Sequence, residues 1–102
     1  MKRSFAAIVE RTSKWDHSKP PQEQPGFAAH AEYMGGLQQE GLIVLAGLML
    51  ASNDVLFVLE AESREEVDDR LAQDPWRRDG YTRLGRLEEL AIRPSPPPST
   101  DA

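Results

Sequence analysis

The chain has no cysteine, which rules out disulfides and every thiolate metal site. It has no long apolar run either: nothing in the sequence approaches the roughly 20 apolar residues of a membrane-spanning helix. The opening MKRSFAAIVE carries two basic residues, but its apolar run is too short for the core of a secretory signal. Positive charge is not in excess. Lys and Arg number 12 against 17 Asp and Glu, giving a net charge of −5 with the two signs interspersed, so neither nucleic acid nor an anionic membrane is the expected partner. No internal repeat is visible. What remains is one domain of 102 residues, large enough to bury a real though small core and expected in the cytoplasm.

The elements follow from patterning. SFAAIVE (Ser4–Glu10) is apolar on both faces and reads as a central strand. RTSKWDHSKPPQEQPG (Arg11–Gly26) is polar and carries three prolines, so it reads as a loop, and loops of this length inside a small domain are often functional. A helix is expected from about Phe27 to Glu40, with Gly41 as the residue that ends it. LIVLAGLML (Leu42–Leu50) and VLFVLEA (Val55–Ala61) are apolar runs joined by the turn residues Ser52–Asp54, which predicts a hairpin. Ser63 and Glu66 form a capping box for a second helix that carries Val67 and Leu71 and stops near Asp74-Pro75-Trp76, because proline disfavours helical geometry in the residue before it. A last strand lies within Tyr81–Arg93. PSPPPSTDA (94–102) has nothing to bury and is expected to be a disordered tail, leaving residues 1–93 as the domain.

The order βαββαβ predicts an α+β, ferredoxin-like fold, a four-stranded antiparallel sheet with two helices on one face. Strands 1 to 3 are apolar on both sides, yet only one sheet face has helices to cover it. An exposed apolar face of that size exceeds what monomers carry. The expected solution is a homodimer through the helix-free sheet face, burying about 1,600 Å2 or more in total.

The residue that stands out is His30. With His30 at zero on a helical wheel, Met34 falls at about +40°, Leu37 at about −20°, Tyr33 at about −60° and Phe27 at about +60°. The imidazole therefore sits in the middle of the apolar face, where an unpaired buried nitrogen would cost about 1–3 kcal/mol. It is either a core histidine bonded to a carbonyl or a general acid/base facing a cavity. In the second case Tyr33, Met34 and Leu37 would wall that cavity and the strand holding Gly47 would floor it. Asp74, followed by proline, has the form of a helix N-cap; a carboxylate there could equally orient an imidazole, and its two oxygens allow both. Trp15, in a polar loop, needs a surface to pack on, either as a plain anchor or as part of a pocket mouth. The pair Gly35-Gly36 inside a helix costs about 2 kcal/mol relative to alanines, which suggests either a close approach by another group or a tolerated surface pair; Gly47 in a buried strand reads likewise. Arg83 and Arg86 are candidates for an anionic ligand, or else solvated. His17 and His30 do not have a metal-binding spacing, and no metal or cofactor is expected.

The pattern H-x-x-x-M-x-x-L-x-x-E-G-x-x-x-x-A-G, carried by His30, Met34, Leu37, Glu40, Gly41, Ala46 and Gly47, resembles the YciI-related (YCII domain) family. So do Asp74-Pro75-Trp76 followed by Gly80, and Trp15–Pro20 ahead of the helix, over roughly residues 3–93. The resemblance implies the dimeric α+β-barrel superfamily. It also implies that His30 and Asp74 match the family's active-site pair, acting on a small-molecule ligand by chemistry such as elimination from chlorinated hydroxylated aromatics. The family often has proline after the Ala-Gly; Leu48 stands there in this chain.

Overall fold

The computed structural model describes residues 1–93; the proline-rich tail read as disordered lies outside the described residues. The chain forms β1 (Arg3–Arg11), a 3-10 turn (Pro21–Glu23), α1 (Phe27–Gln39), β2 (Ile43–Leu48), β3 (Val55–Ala61), α2 (Arg64–Ala72), α3 (Pro75–Arg78) and β4 (Thr82–Glu89). The strands make one sheet in the order β2-β3-β1-β4, antiparallel throughout. This is the expected ferredoxin-like α+β architecture, with one addition. A third, short helix, α3, follows directly on α2, because Pro75 is well placed at the first position of a new helix even though it cannot continue the old one.

Local chemistry sets the helix ends. Gly41 has φ +85°, and the bonds Gly41 N to Gln38 O and Leu42 N to Leu37 O, each 3.0 Å, close α1 in a Schellman motif. Ser63 Oγ accepts from Glu66 N at 3.1 Å. Glu66 does reach back, but its carboxylate takes the N–H of Glu62 at 3.2 Å, one residue earlier than a standard capping box.

Phe5, Ala7, Phe57, Leu59 and Ile43 from the sheet, Leu37 from α1, and Val67 and Leu71 from α2 form the buried core. Both long helices therefore cover the same sheet face. Two irregularities in the ladder decide which side chains join them. Between β2 and β3 the register steps from Ile43↔Leu59 to Leu45↔Val58, so Val44 is an extra residue. Beyond it Ala46 and Leu48 share the helix side with Phe57 and Val55, while Leu45 and Gly47 share the opposite side with Val58 and Leu56. Between β1 and β4 the extra residue is Gly85, where the register steps from Ile8↔Arg86 to Val9↔Leu84. A Cβ at this bulge would lie 2.6 Å from Glu10 Cδ, the far end of a flexible side chain that can move aside, so the bulge itself rather than this contact is what goes with glycine here.

The expected strand Leu42–Leu50 is shorter at both ends. Met49 and Leu50 belong to the hairpin turn, closed by Met49 N to Asp54 O at 2.8 Å with Asn53 at φ +64°. Leu48, the departure from the family pattern, ends β2 opposite Val55 and leaves the ladder regular at that point. No glycine of Gly35, Gly36 or Gly47 has anything within 4 Å of where a Cβ would stand, so close approach does not explain them.

Leu59 is fully buried at the centre of the sheet. Leu59→Ala should lower unfolding free energy by about 2–5 kcal/mol, the range for a deleted core side chain, as measured by urea denaturation. A loss below the range for surface sites, about 0.5 kcal/mol, would show the core to be centred elsewhere.

Candidate functional site

The first turns of α1, the start of α3 and one end of the sheet enclose a cavity of about 210 Å3. Its floor is Val9 and Arg11 of β1, Val55 and Phe57 of β3, and Thr82 of β4. His30 and Met34 of α1 form one wall; Leu71, Asp74, Trp76 and Arg77 form another, and Trp15 closes a side. The lining is mostly apolar, with its polar groups few and named.

Asp74 is the N-cap of α3. Its Oδ1 accepts the backbone N–H of Trp76 at 3.2 Å, and the same atom lies 2.7 Å from His30 Nδ1. The capping and orienting roles do coexist, but through one oxygen rather than two. An ionised carboxylate only accepts, so the shared proton of this pair belongs to Nδ1, and in the neutral imidazole Nε2 is left as the unprotonated nitrogen. Nε2 has no hydrogen-bond partner among the described residues. The His30 side chain keeps 19% of its surface exposed against 8% for Asp74, so the ring is sheltered but not sealed.

The ring is held on a second side by Trp76, stacked on it at 3.6 Å between centroids with 17° between planes. Trp76 in turn donates Nε1–H to Pro25 O at 2.8 Å and meets Trp15 edge-on at 4.8 Å. Trp15 is 4% exposed, so it is at once the anchor of its loop and part of the cavity wall. Buried Gln24 fastens the same loop: its Oε1 accepts Asp16 N at 3.1 Å, and its Nε2 donates to Asp16 O at 2.6 Å and Lys19 O at 3.0 Å. The Ser18 hydroxyl and N–H both bond the Asp16 carboxylate and hold it below the usual carboxylate range. His17 is exposed. Among the described residues, no cluster of three or more His, Asp or Glu side chains is arranged to hold a metal ion.

Of the residues singled out from sequence, the cavity brings together His30, Asp74, Trp15 and Met34. Tyr33, Leu37, Gly47 and Arg83 are placed elsewhere, each for a physical reason. The Tyr33 hydroxyl donates to Arg70 O at 2.6 Å, tying α1 to α2 outside the cavity. Leu37 lies a turn further along, in the core. Gly47 is turned to the opposite face by the Val44 bulge. Arg83 pairs with Glu10 in register and at 2.7 Å, between two positions that face inward, so it too belongs to the far side of the sheet. Patterning missed Arg11, Arg77, Thr82 and the stacking role of Trp76. Arg11 had a signal: Phe5, Ala7, Val9 and Arg11 alternate along one face of β1.

An antiparallel ferredoxin-like sheet with a histidine–carboxylate pair at a small cavity defines the class of domain. The sequence model of the YCII-related domain matches residues 6–93, and the chain belongs to that family. Among curated proteins no match was found.

Because one Asp74 oxygen serves two donors, Asp74→Ala should cost both. The cap contributes about 0.5–2 kcal/mol and the bond to His30 about another 0.5–1.5 kcal/mol. Asp74→Asn, which keeps an acceptor, should lose less than half as much in chemical denaturation. Equal losses for the two variants would mean that the carboxylate charge, not its acceptor geometry, holds α3.

Proposed function

We propose that the cavity is the active site of a small enzyme in which His30 takes or delivers a proton through Nε2 and Asp74 fixes its tautomer and orientation. The observation that carries this reading is the free Nε2 on a ring whose other nitrogen is bound to Asp74 at 2.7 Å and which borders an apolar cavity. A nitrogen without a protein partner, on a ring whose orientation a carboxylate holds, is the arrangement that proton transfer needs. The reaction class that fits is elimination or isomerisation of a small, aromatic or enol-like metabolite, since such steps need a positioned acid/base and no cofactor. The shelter of the site strengthens each electrostatic contact inside it, and the stacked Trp76 keeps the imidazole from rotating away.

The reading is tested by incubating the protein with chlorinated hydroxylated aromatics, with and without a ring carboxylate, and following chloride release. His30→Asn should keep the fold and lower the rate by 10²-fold or more, roughly the usual scale of acid/base catalysis. Asp74→Asn should lower it less. If wild type and His30→Asn bind the same compounds equally and neither releases chloride, the cavity is a ligand-binding site without catalysis.

The same reading includes a second copy of the chain against the helix-free sheet face, which would close two sheets into an α+β barrel. It is supported by the large apolar side chains left at solvent on and beside that face. Leu45 is 61% exposed, Val44 54% and Leu50 84%, next to the half-buried Ala6, Ile8, Leu56 and Val58. Glu60, Arg86 and Glu88 surround them in register, the charged rim that a specific interface carries. No helix among the described residues is long and apolar enough to cross a membrane. In sedimentation the wild type should run as a dimer at micromolar concentration, and Val58→Glu should run as a folded monomer. A wild-type monomer would remove the dimer and leave the cavity reading intact.

A further inference from the structure

Two polar groups on the cavity floor have no part in the His30–Asp74 pair. The first is the guanidinium of Arg11. Arg3, Arg70, Arg77, Arg83 and Arg86 each pair with a carboxylate; Arg11 pairs with none among the described residues. Its planar group lies instead over the Trp15 ring, 4.3 Å from the centroid. Burial pulls its pKa below the ordinary arginine value, opposed by the charge of Asp54. Asp54 acts on it through charge alone, so the guanidinium N–H groups, bonded to no carboxylate among the described residues, are left for an entering anion. The second is Thr82. Its hydroxyl is the one buried side-chain polar atom without a hydrogen-bond partner among the described residues, in a residue only 8% exposed.

The sheet sets these two side by side. Arg11 and Thr82 are directly opposed in the β1–β4 register, which puts their Cβ atoms about 4.5–5.5 Å apart on one face. That face is the inward one, since both line the cavity. Arg77 is the other cation there, but it is already drawn to Asp68 at 3.8 Å. A guanidinium that offers two parallel N–H groups, beside a hydroxyl that lacks a partner, matches a carboxylate. The remaining floor, Val9, Val55 and Phe57, is apolar. The space sets the scale: an engineered apolar cavity of about 150 Å3 holds benzene, so this cavity, at about 210 Å3, has room for one substituted ring.

We propose that Arg11 and Thr82 form an anion-anchoring subsite for the carboxylate of a small ligand whose apolar, ring-sized body fills the rest of the cavity. The assignment rests on the reading of this cavity as the ligand site. It narrows the substrate class to monocarboxylates of about that size. It also gives the two ends of the cavity different work: β1 and β4 hold the charge, and α1 presents the imidazole.

Benzoate and its neutral analogue benzyl alcohol are the probes. The chain has 2 tryptophans and both line the cavity, so the two indole N–H signals in 1H–15N spectra report its occupancy. Benzoate should shift both signals saturably and bind at least about tenfold tighter than benzyl alcohol, as expected for a bond to a charged group. Arg11→Met, which removes the cation and keeps an unbranched apolar side chain, should abolish that preference by weakening benzoate far more than benzyl alcohol; Arg11→Lys should retain part of it. Thr82→Val, a near-isosteric change that removes only the unpartnered hydroxyl, should weaken benzoate several-fold and benzyl alcohol less, and it decides the matter if Arg11→Met does not fold. Equal affinity of the two probes for the wild type overturns the anion subsite while leaving the cavity as a ligand site. So does a preference that survives both Arg11→Met and Thr82→Val. Binding of neither probe overturns the subsite and the cavity reading together.

Discussion

The site is organised around one oxygen atom. Asp74 Oδ1 takes the N–H of Trp76 and faces Nδ1 of His30, so a single acceptor fixes where α3 begins and how the α1 imidazole is turned. Neither bond would locate the two helices alone. A cap holds α3 to its own first turn, and a histidine–carboxylate pair holds only two side chains. Sharing the atom makes the start of α3 the reference point for the ring. It also brings Trp76 into place, two residues after the cap, where it stacks on His30 and reaches across to Pro25. The long loop before α1 is thereby fastened to the same point.

Much of this arrangement was written in local patterns. Doubly apolar runs, the turn residues at Ser52–Asp54, Gly41 after the first helix and Ser63 before the second specify elements by short-range chemistry, and the structure has each of them. The histidine on an apolar face and the aspartate before proline were legible as well, because each is odd for its neighbourhood. The faces of two strands were not legible. Strict alternation from Ile43 would turn Leu45 and Gly47 inward, and one extra residue at Val44 reverses every side chain after it. Such a slip flips a strand completely, and nothing local in an apolar run marks it. Gly85 is a partial exception: a glycine within a strand is a bulge signal, and the β1–β4 register does shift there.

The polar end of the cavity was hidden for a different reason. Polarity assigns Arg11 to the loop, yet it is the last residue of β1 and continues the inward row of Phe5, Ala7 and Val9. Its charge made it look like a loop residue, although strand alternation alone placed it inside. Thr82 carries no signal by itself. Its significance comes only from pairing with Arg11 across the sheet, and a strand pairing between residues so far apart in sequence cannot be read without the fold. Trp15 and Gln24 are similar: the polar loop is pinned by a buried side-chain amide and by an aromatic contact from α3, partners that only the fold brings near.

A leucine at position 30 would pack more simply, and the surroundings show why it would serve less well. The cavity beside the ring is kept open by stiff parts: two tryptophans in edge-to-face contact, one of them bonded through its indole to the backbone of the loop. Aliphatic walls could relax inward around a smaller side chain, whereas aromatic planes held at both ends cannot collapse so readily. A leucine would fill part of that space and leave Asp74 Oδ1 with the cap alone, placing a carboxylate that is almost fully buried beside an apolar group, which is the costly arrangement. The imidazole removes that cost through one nitrogen and leaves the other free. Position 30 therefore does two things that no aliphatic residue can do together. It completes the bonding of a buried carboxylate, and it leaves its second nitrogen without a protein partner on a ring that lines the cavity.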